Sequence, residues 1–193
     1  MGIKFNPSKI RIVWAVTYGG ILGRFVRALG YKWNHILVFV VPVDDSLPSY
    51  TYESNWRGVD GHPFDMWADL AEECEFYEPM RPLTRDEKIE VLAFADGNVG
   101  KLYSLWDWVR LVWRIGRELW DRKDRDQLMA FLRPGETCIS FAHRCGAYVG
   151  RPVSEWDLAG LPDDIMVSTH YRPAGQWRRG SEPQRDLLRG ATP

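Results

Sequence analysis

The pattern of hydrophobic and polar positions predicts a small antiparallel β-sheet in the first half of the chain. Residues 10–18 (IRIVWAVTY) form a short β-rich run, and residues 35–43 (HILVFVVPV) form a continuous apolar run that stops at a proline and two aspartates. We expect residues 49–54 (SYTYES) to be the hairpin partner of the second run, and residues 74–80 (CEFYEPM) to be a further strand. These runs therefore predict the sheet.

Helical spacing of apolar residues predicts helices between and after these strands. Residues 19–30 have this spacing and end at a glycine, and residues 84–97 begin with a Thr-x-x-Glu capping box. A long helical pattern covers roughly residues 103–132, and another helix begins at about Thr137. A helix, a small antiparallel sheet and then several helices make an α+β fold.

The chain of 193 residues suits one domain with an appendage. We assign residues 1–171 to the domain, with a helical insertion at about 104–132, and residues 172–193 to an extended tail rich in Arg, Pro and Gly. Because the tail has almost no core-forming residues, we expect it to be disordered in isolation and ordered by a partner.

Composition excludes several classes of function. The formal net charge of −1 indicates neither a nucleic-acid partner nor an acidic one. The three cysteines include no Cys-x-x-Cys pair, which argues against a disulfide framework or a zinc ribbon and favours a reducing compartment. The chain has no secretory leader and no apolar run near the roughly 18 residues that a membrane span needs, so we expect a cytoplasmic product without a transmembrane segment.

One cysteine occupies a position that suits a nucleophile. Cys138 follows a polar Gly-Glu-Thr turn and falls in the first turn of a predicted helix, where free N–H groups and the helix dipole favour a thiolate. Cys145 lies on the same helix face and is predicted to be a small buried hydrophobe. Cys74 lies among glutamates that disfavour its thiolate, which indicates a structural role.

A thiol nucleophile requires a base, and His35 is the best candidate among the four histidines. It begins the strongest predicted strand, at a sheet rim where an imidazole can be held in place. His143 lies about 140° around the helix from Cys138, His62 falls in a turn-like Asp-Gly-His-Pro sequence, and His170 leads into the tail. A surface or capping role for His35 and a buried apolar role for the helical cysteine remain the alternatives.

Five short pieces of sequence then occur in a recognisable order: the helix and link before His35, YESNWRGV, NVGKLYSL, TCISFAHRCGAYVG and LPDDIMVS. In this order they resemble the permuted NlpC-like branch of the papain-like cysteine peptidases and amidases, over roughly residues 12–168. The resemblance implies a cofactor-free, papain-like α+β fold that needs no metal.

The same resemblance implies roles for individual residues. Cys138 would be the nucleophile, His35 the general base and Glu53 the residue that orients the imidazole. Asn55 and Asn34 are the substitutes for Glu53 if the strand register differs. Tyr103 would be the pocket-side tyrosine that contacts substrate, with simple packing at a helix end as the alternative. The implied substrate is an amide or peptide, with the peptidoglycan stem peptide as the first expectation.

Two rival functions stay open. Many family members follow the cysteine with Ser-Glu, whereas the Cys-Ile-Ser-Phe form here resembles small NlpC-like proteins of tailed bacteriophages. That form suggests a virion component, such as part of a tail tip, which uses an inactive hydrolase fold as a building block. A lipid acyltransferase or thioesterase is the second enzymatic alternative.

The predicted helical insertion carries a stripe of three tryptophans, Trp106, Trp113 and Trp120, which recur every seven residues. The stripe could pack on the domain core, or it could be a surface for protein partners in an assembly together with the tail. A third alternative, a helix lying in a membrane interface, is opposed by the acidic residues Asp107, Glu118 and Asp121.

Overall fold

The computed structural model describes most of the domain. The described residues are 5–28, 32–43, 49–55, 57–64, 66, 71–102, 138–154 and 162–179. Tyr103, the predicted tryptophan helix and the end of the predicted tail lie outside them. Within the described residues, no helix is long and apolar enough to cross a membrane.

A single antiparallel sheet forms the centre of the fold, and helices pack on it. Its strands are β1 (Ile10–Tyr18), β2 (His35–Pro42), β3 (Tyr50–Asn55), β4 (Gly58–Pro63), β5 (Glu73–Pro79) and β6 (Tyr171–Arg178). The strand order is β4-β3-β2-β1-β5-β6. The helices are α1 (Gly20–Ala28), α2 (Arg85–Asn98) and α3 (Cys138–Ala147), with short 3-10 turns at Pro7–Lys9 and Pro162–Val167. The prediction of an α+β fold with an antiparallel sheet is therefore confirmed.

The centre of the sheet is buried on both faces, which explains why β1 and β2 are continuous apolar runs. On one face, Trp14, Ile36 and Val38 join a cluster with residues of α2 and α3. On the other face, Leu37 and Phe39 join a second cluster with residues of β5. Strands covered on both sides lose the alternation of a half-exposed sheet.

Strand β4 was missed by the sequence analysis, which described its Asp-Gly-His-Pro part as turn-like. It pairs with β3 in the register Tyr50↔Pro63 to Asn55↔Gly58. Gly58 has φ +125°, and a Cβ there would clash with the Lys101 carbonyl, so the strand begins at a backbone position that only glycine fits. The strand forms because β3 offers an edge to pair with, and its own residues show no apolar alternation.

The predicted start of the tail at residue 172 is wrong, because β6 continues through Arg178. The strand pairs with β5 along its length, from Pro79↔Tyr171 to Glu73↔Arg178. Its ladder covers the edge of β5, and Trp177 packs against the second core cluster. Polar, proline-containing sequence is compatible with an edge strand, so composition alone misplaced the boundary.

Two truncated chains should distinguish the contribution of strand β6 to stability from that of the residues after it. A chain that ends at residue 179 keeps all six described strands, so it should keep the melting temperature of the full chain to within about 2 °C. A chain that ends at Tyr171 should melt about 10 °C lower and aggregate more readily, because the edge of β5 is left unpaired. Circular dichroism measures the two melting curves. If they are equal, β6 does not contribute to the stability of the fold.

Candidate active site

Cys138 is the first residue of α3, and the rest of that helix is anchored on the sheet. Ile139, Phe141 and Ala142 are buried in the first core cluster, and the helix packs against β2 and β3. The indole N–H of Trp14 donates a hydrogen bond of 2.9 Å to the carbonyl of Ala142. The apolar face of α3 therefore fixes the position of the thiol at the helix N-terminus.

His35 is the first residue of β2, and hydrogen bonds hold the link that leads to it. The carboxylate of Asp163 accepts from the backbone N–H groups of Lys32 at 2.9 Å and Trp33 at 3.0 Å. The side-chain oxygen of Asn34 accepts from the N–H of Gly19 at 3.1 Å. The link is therefore tied both to the 3-10 turn at Pro162–Val167 and to the end of β1.

The structure brings Cys138 and His35 into contact. The imidazole lowers the pKa of the thiol through its charge and a side-chain hydrogen bond, and the backbone N–H groups of Ile36 and Ile139 lower that pKa further. All of these groups favour the thiolate over the thiol. Residues more than one hundred positions apart in the sequence thus meet where β2 and α3 both begin.

Glu53 lies on the far side of the imidazole from the thiol. His35 Nε2 is 2.8 Å from Glu53 Oε2, which leaves Nδ1 of the ring for the sulfur. The amide nitrogen of Asn55 donates to the other carboxylate oxygen, Oε1, at 2.9 Å. Only 7% of the Glu53 side chain is exposed, so the carboxylate depends on these donors.

The electrostatics of these three residues favour an ion pair. Burial raises the pKa of the Cys138 thiol, but the charge and hydrogen bond of His35 outweigh it and lower that pKa. For His35, burial lowers the pKa, yet the Cys138 thiolate and the Glu53 carboxylate together raise it to about 10. Burial likewise opposes ionisation of Glu53, but the hydrogen bonds from His35 and His62 hold the pKa of the carboxyl far below its usual range. The three shifts together favour a thiolate–imidazolium pair beside an ionised carboxylate.

A second histidine contacts the same carboxylate, and the sequence analysis missed it. His62, assigned there to a turn, lies on β4, and its Nε2 is 3.1 Å from Glu53 Oε1. In the β3–β4 register Glu53 lies opposite Asp60, and Thr51 lies opposite His62. The side chains of Glu53 and His62 are therefore diagonal neighbours on one face of the sheet. Only the β3–β4 register could have revealed this contact, because no local pattern marks His62.

The remaining predicted residues are the two asparagines named as substitutes for Glu53, the other two cysteines and Tyr103. Asn34 contacts Gly19 in the link before β2, whereas Asn55 is the asparagine that contacts Glu53. Cys74 and Cys145 are both buried. For Cys74, burial and then the nearby Glu75 raise the pKa well above its ordinary value. Tyr103 lies outside the described residues, so its predicted contact with substrate stays a prediction.

No protein-family model matches the sequence, and neither does any curated protein. Among solved structures, the chain is similar to the metalloprotein yiiX of Escherichia coli O157:H7, described as DUF1105, with a TM-score of 0.61 and 10% identity. The match covers 90% of this chain and 99% of that one. At such low identity the likeness shows the fold alone.

This comparison contradicts the predicted family resemblance. The matching structure is described as a DUF1105 metalloprotein and not as an NlpC-like peptidase, so the assignment to the permuted NlpC-like branch is corrected. The motifs behind that assignment are short, and each meets a local need, such as a turn or the start of a helix. Their order along the chain therefore could not identify a family.

Proposed function

We propose that the protein is a cysteine-dependent hydrolase that transfers an acyl group to water through a thioester on Cys138. The observation that carries this proposal is the continuous contact of Cys138 with His35 and of His35 with Glu53 at the N-terminus of α3. A nucleophile, a base and a residue that orients the base are the three groups that such a reaction requires.

The chemistry follows from the charge states. The Cys138 thiolate attacks the substrate carbonyl carbon, a C–S bond forms, and an electron pair moves to the carbonyl oxygen, where N–H groups at the start of α3 stabilise it. When the bond to the leaving amine breaks, imidazolium His35 gives that amine its proton and becomes neutral. A water molecule then gives a proton to His35, attacks the thioester and releases a carboxylic acid and the thiolate. Glu53 keeps the imidazole oriented and favours its charged form throughout.

The matching solved structure is described as a metalloprotein, but the residues here do not fit a metal ion. Across the described ranges, no three His, Cys, Asp or Glu residues are arranged to hold one. Each oxygen of Glu53 already accepts from a nitrogen donor at 2.8–3.1 Å, and both imidazole Nε2 atoms point at that carboxylate. These distances are those of hydrogen bonds, so we derive no step through a metal.

The substrate class is the acyl carbonyl, with an amide as the first candidate and a thioester or ester as the second. The peptidoglycan prediction depended on the family resemblance that the comparison contradicts. A stem peptide therefore belongs in a substrate panel as one amide among several. Binding of protein partners through the tryptophan helix or residues 180–193 stays a prediction, because both lie outside the described residues.

Selective alkylation tests the activated nucleophile. Iodoacetamide at neutral pH should modify Cys138 at least on the order of tenfold faster than Cys74 and Cys145, because His35 lowers the pKa of Cys138 and the other two thiols are buried. The alkylation rate should level off at a lower pH than that of a free thiol, whose pKa is about 8.5. Mass spectrometry of the digested protein measures the three rates separately.

The pH dependence of hydrolysis completes this test. Amide hydrolysis should fall as the pH rises through about 10, because the raised pKa of His35 keeps its proton on the ring only below that value. An activated ester should leave its acyl group on Cys138. In the control variant Cys145→Ser, Cys138 should be acylated and alkylated as in the wild type. The proposal fails if all three cysteines react at one rate, or if His35→Ala leaves the Cys138 rate unchanged.

A further inference from the structure

The carboxylate of Glu53 has a second imidazole partner that the three-residue mechanism does not use. His62 lies on β4 with 12% of its side chain exposed, and it contacts Glu53 Oε1, while His35 contacts Oε2. The carboxylate therefore lies between two rings that come from different strands. Because His62 and His35 share the Glu53 carboxylate, a change at His62 can alter how Glu53 holds His35.

Both ring nitrogens of His62 face oxygen acceptors. Nε2 is 3.1 Å from the Glu53 carboxylate, and Nδ1 is 3.2 Å from the backbone carbonyl of Pro63. A neutral imidazole has only one N–H, so it can satisfy one of these acceptors but not both. The geometry therefore fits a doubly protonated ring, that is, an imidazolium.

Charge balance supports the same state. A thiolate on Cys138 and a carboxylate on Glu53 supply two negative charges, and an imidazolium on His35 supplies one positive charge. With His62 also protonated the four residues are neutral together, which suits a largely buried site. Among the described residues, Asp60 on the same strand also faces His62 and favours the protonated ring.

We propose that His62 is a positioning residue of the active site, which holds Glu53 in place and balances its charge so that Glu53 can orient His35. This inference rests on the proposed hydrolase function and extends it to a fourth residue. His62 is not a catalytic residue in this proposal, since it contacts neither the thiol nor the base directly. Its effect on the reaction passes through the carboxylate.

Three variants separate the two parts of this role. His62→Leu removes both the hydrogen bond and the charge, whereas His62→Gln can still donate one hydrogen bond to Glu53. The control is Thr51→Val at the position opposite His62 on β3, where the buried hydroxyl has no partner among the described residues. The valine variant should therefore have wild-type kinetics.

The expected result is a graded loss. His62→Leu should lower kcat on an activated acyl substrate on the order of ten- to a hundredfold with little change in KM. This is the range seen in metal sites when the hydrogen-bond partner that orients a ligating histidine is removed. It should also move the midpoint of the Cys138 alkylation profile upward by about 0.5–1 pH unit, because a nearby positive charge is gone. His62→Gln should recover part of the kcat without restoring the midpoint.

The outcomes distinguish this inference from the function on which it rests. If Cys138→Ser abolishes turnover while His62→Leu changes neither kcat nor the alkylation midpoint, the positioning role is wrong and the hydrolase stands. If wild-type Cys138 is neither reactive nor acylated, the function itself fails. If His62→Leu does not fold, nitrogen NMR of the wild-type rings decides, because a neutral His62 at pH 7 would overturn the inference.

Discussion

Replacing Glu53 with Gln should remove most of the activity and destabilise the fold at the same time. The Glu53 side chain is only 7% exposed and contacts His35 and His62. Without its charge, two largely buried imidazoles lose their anionic partner, and breaking a buried ion pair in this way typically costs about 3–5 kcal/mol of unfolding free energy. The rate of acyl transfer should fall on the order of 10²–10⁴-fold, because the base is no longer held in orientation or stabilised when protonated.

The pH dependence of that difference in stability follows from the signs of the two shifts. Glu53 has a lowered pKa, so its contribution is present above the ordinary carboxyl value of 4.5 and is lost as the pH falls below it. His35 has a raised pKa, so its contribution is complete below the ordinary imidazole value of 6.5 and is lost as the pH rises through about 10. The difference in stability between wild type and Glu53→Gln should therefore be largest between about pH 5 and 6.5.

Urea unfolding measures this difference, and Glu73→Gln is the control. Glu73 pairs with Arg27 at 3.3 Å on the surface, where 42% of the arginine side chain is exposed, so its loss should cost less than about 1 kcal/mol. If the two glutamine variants unfold alike, then Glu53 does not stabilise the histidine pair, and the electrostatic account of the site is incorrect.

Replacing Trp14 on β1 with Ala should strongly destabilise the fold. Trp14 is fully buried, its ring packs edge-on against Tyr171 at 4.9 Å, and its N–H holds the Ala142 carbonyl of α3. Removing so large a buried side chain typically costs about 3–5 kcal/mol. Because α3 carries Cys138, the remaining folded protein should also lose thiol reactivity towards iodoacetamide.

Trp177→Ala is the matched control for this substitution. Trp177 is half-buried on β6 and packs against the second core cluster, which lies on the opposite face of the sheet from α3. Its loss should lower the melting temperature less and leave the alkylation rate of Cys138 unchanged. Equal effects of the two substitutions on that rate would mean that the Trp14 hydrogen bond does not position the nucleophile.

Much of the sheet could be predicted because the signals that define it are local. Strands β1, β2, β3 and β5 lie within a residue or two of the runs predicted for them, since apolar character over consecutive residues is what buried strands require. Helix α2 has the predicted capping box, in which Thr84 and Glu87 satisfy each other's backbone N–H groups. The predicted placement of Cys138 at a helix start and of His35 at a strand start follows from the same local rules.

Strands β4 and β6 could not be predicted in this way, because their stability comes from the edges to which they pair. Both are polar, with glycine and proline, and their own residues indicate turns or disorder. They form strands where β3 and β5 offer unpaired backbone groups, which is a property of the neighbouring strand. The predicted domain boundary at residue 171 was wrong for this reason.

By itself, the sequence determined the four strands that are apolar runs, β1, β2, β3 and β5, and the residue at which α2 begins. It also placed a thiol at the start of a helix and an imidazole at the start of a strand. Only the tertiary structure decided that these two ends meet, that Glu53 lies behind His35, and that His62 reaches the same carboxylate from β4. The physical reason is that periodicity and capping act over a few residues. Contacts between side chains on different strands, and the charges they stabilise, depend on strand register and burial, which arise only when the whole sheet is assembled.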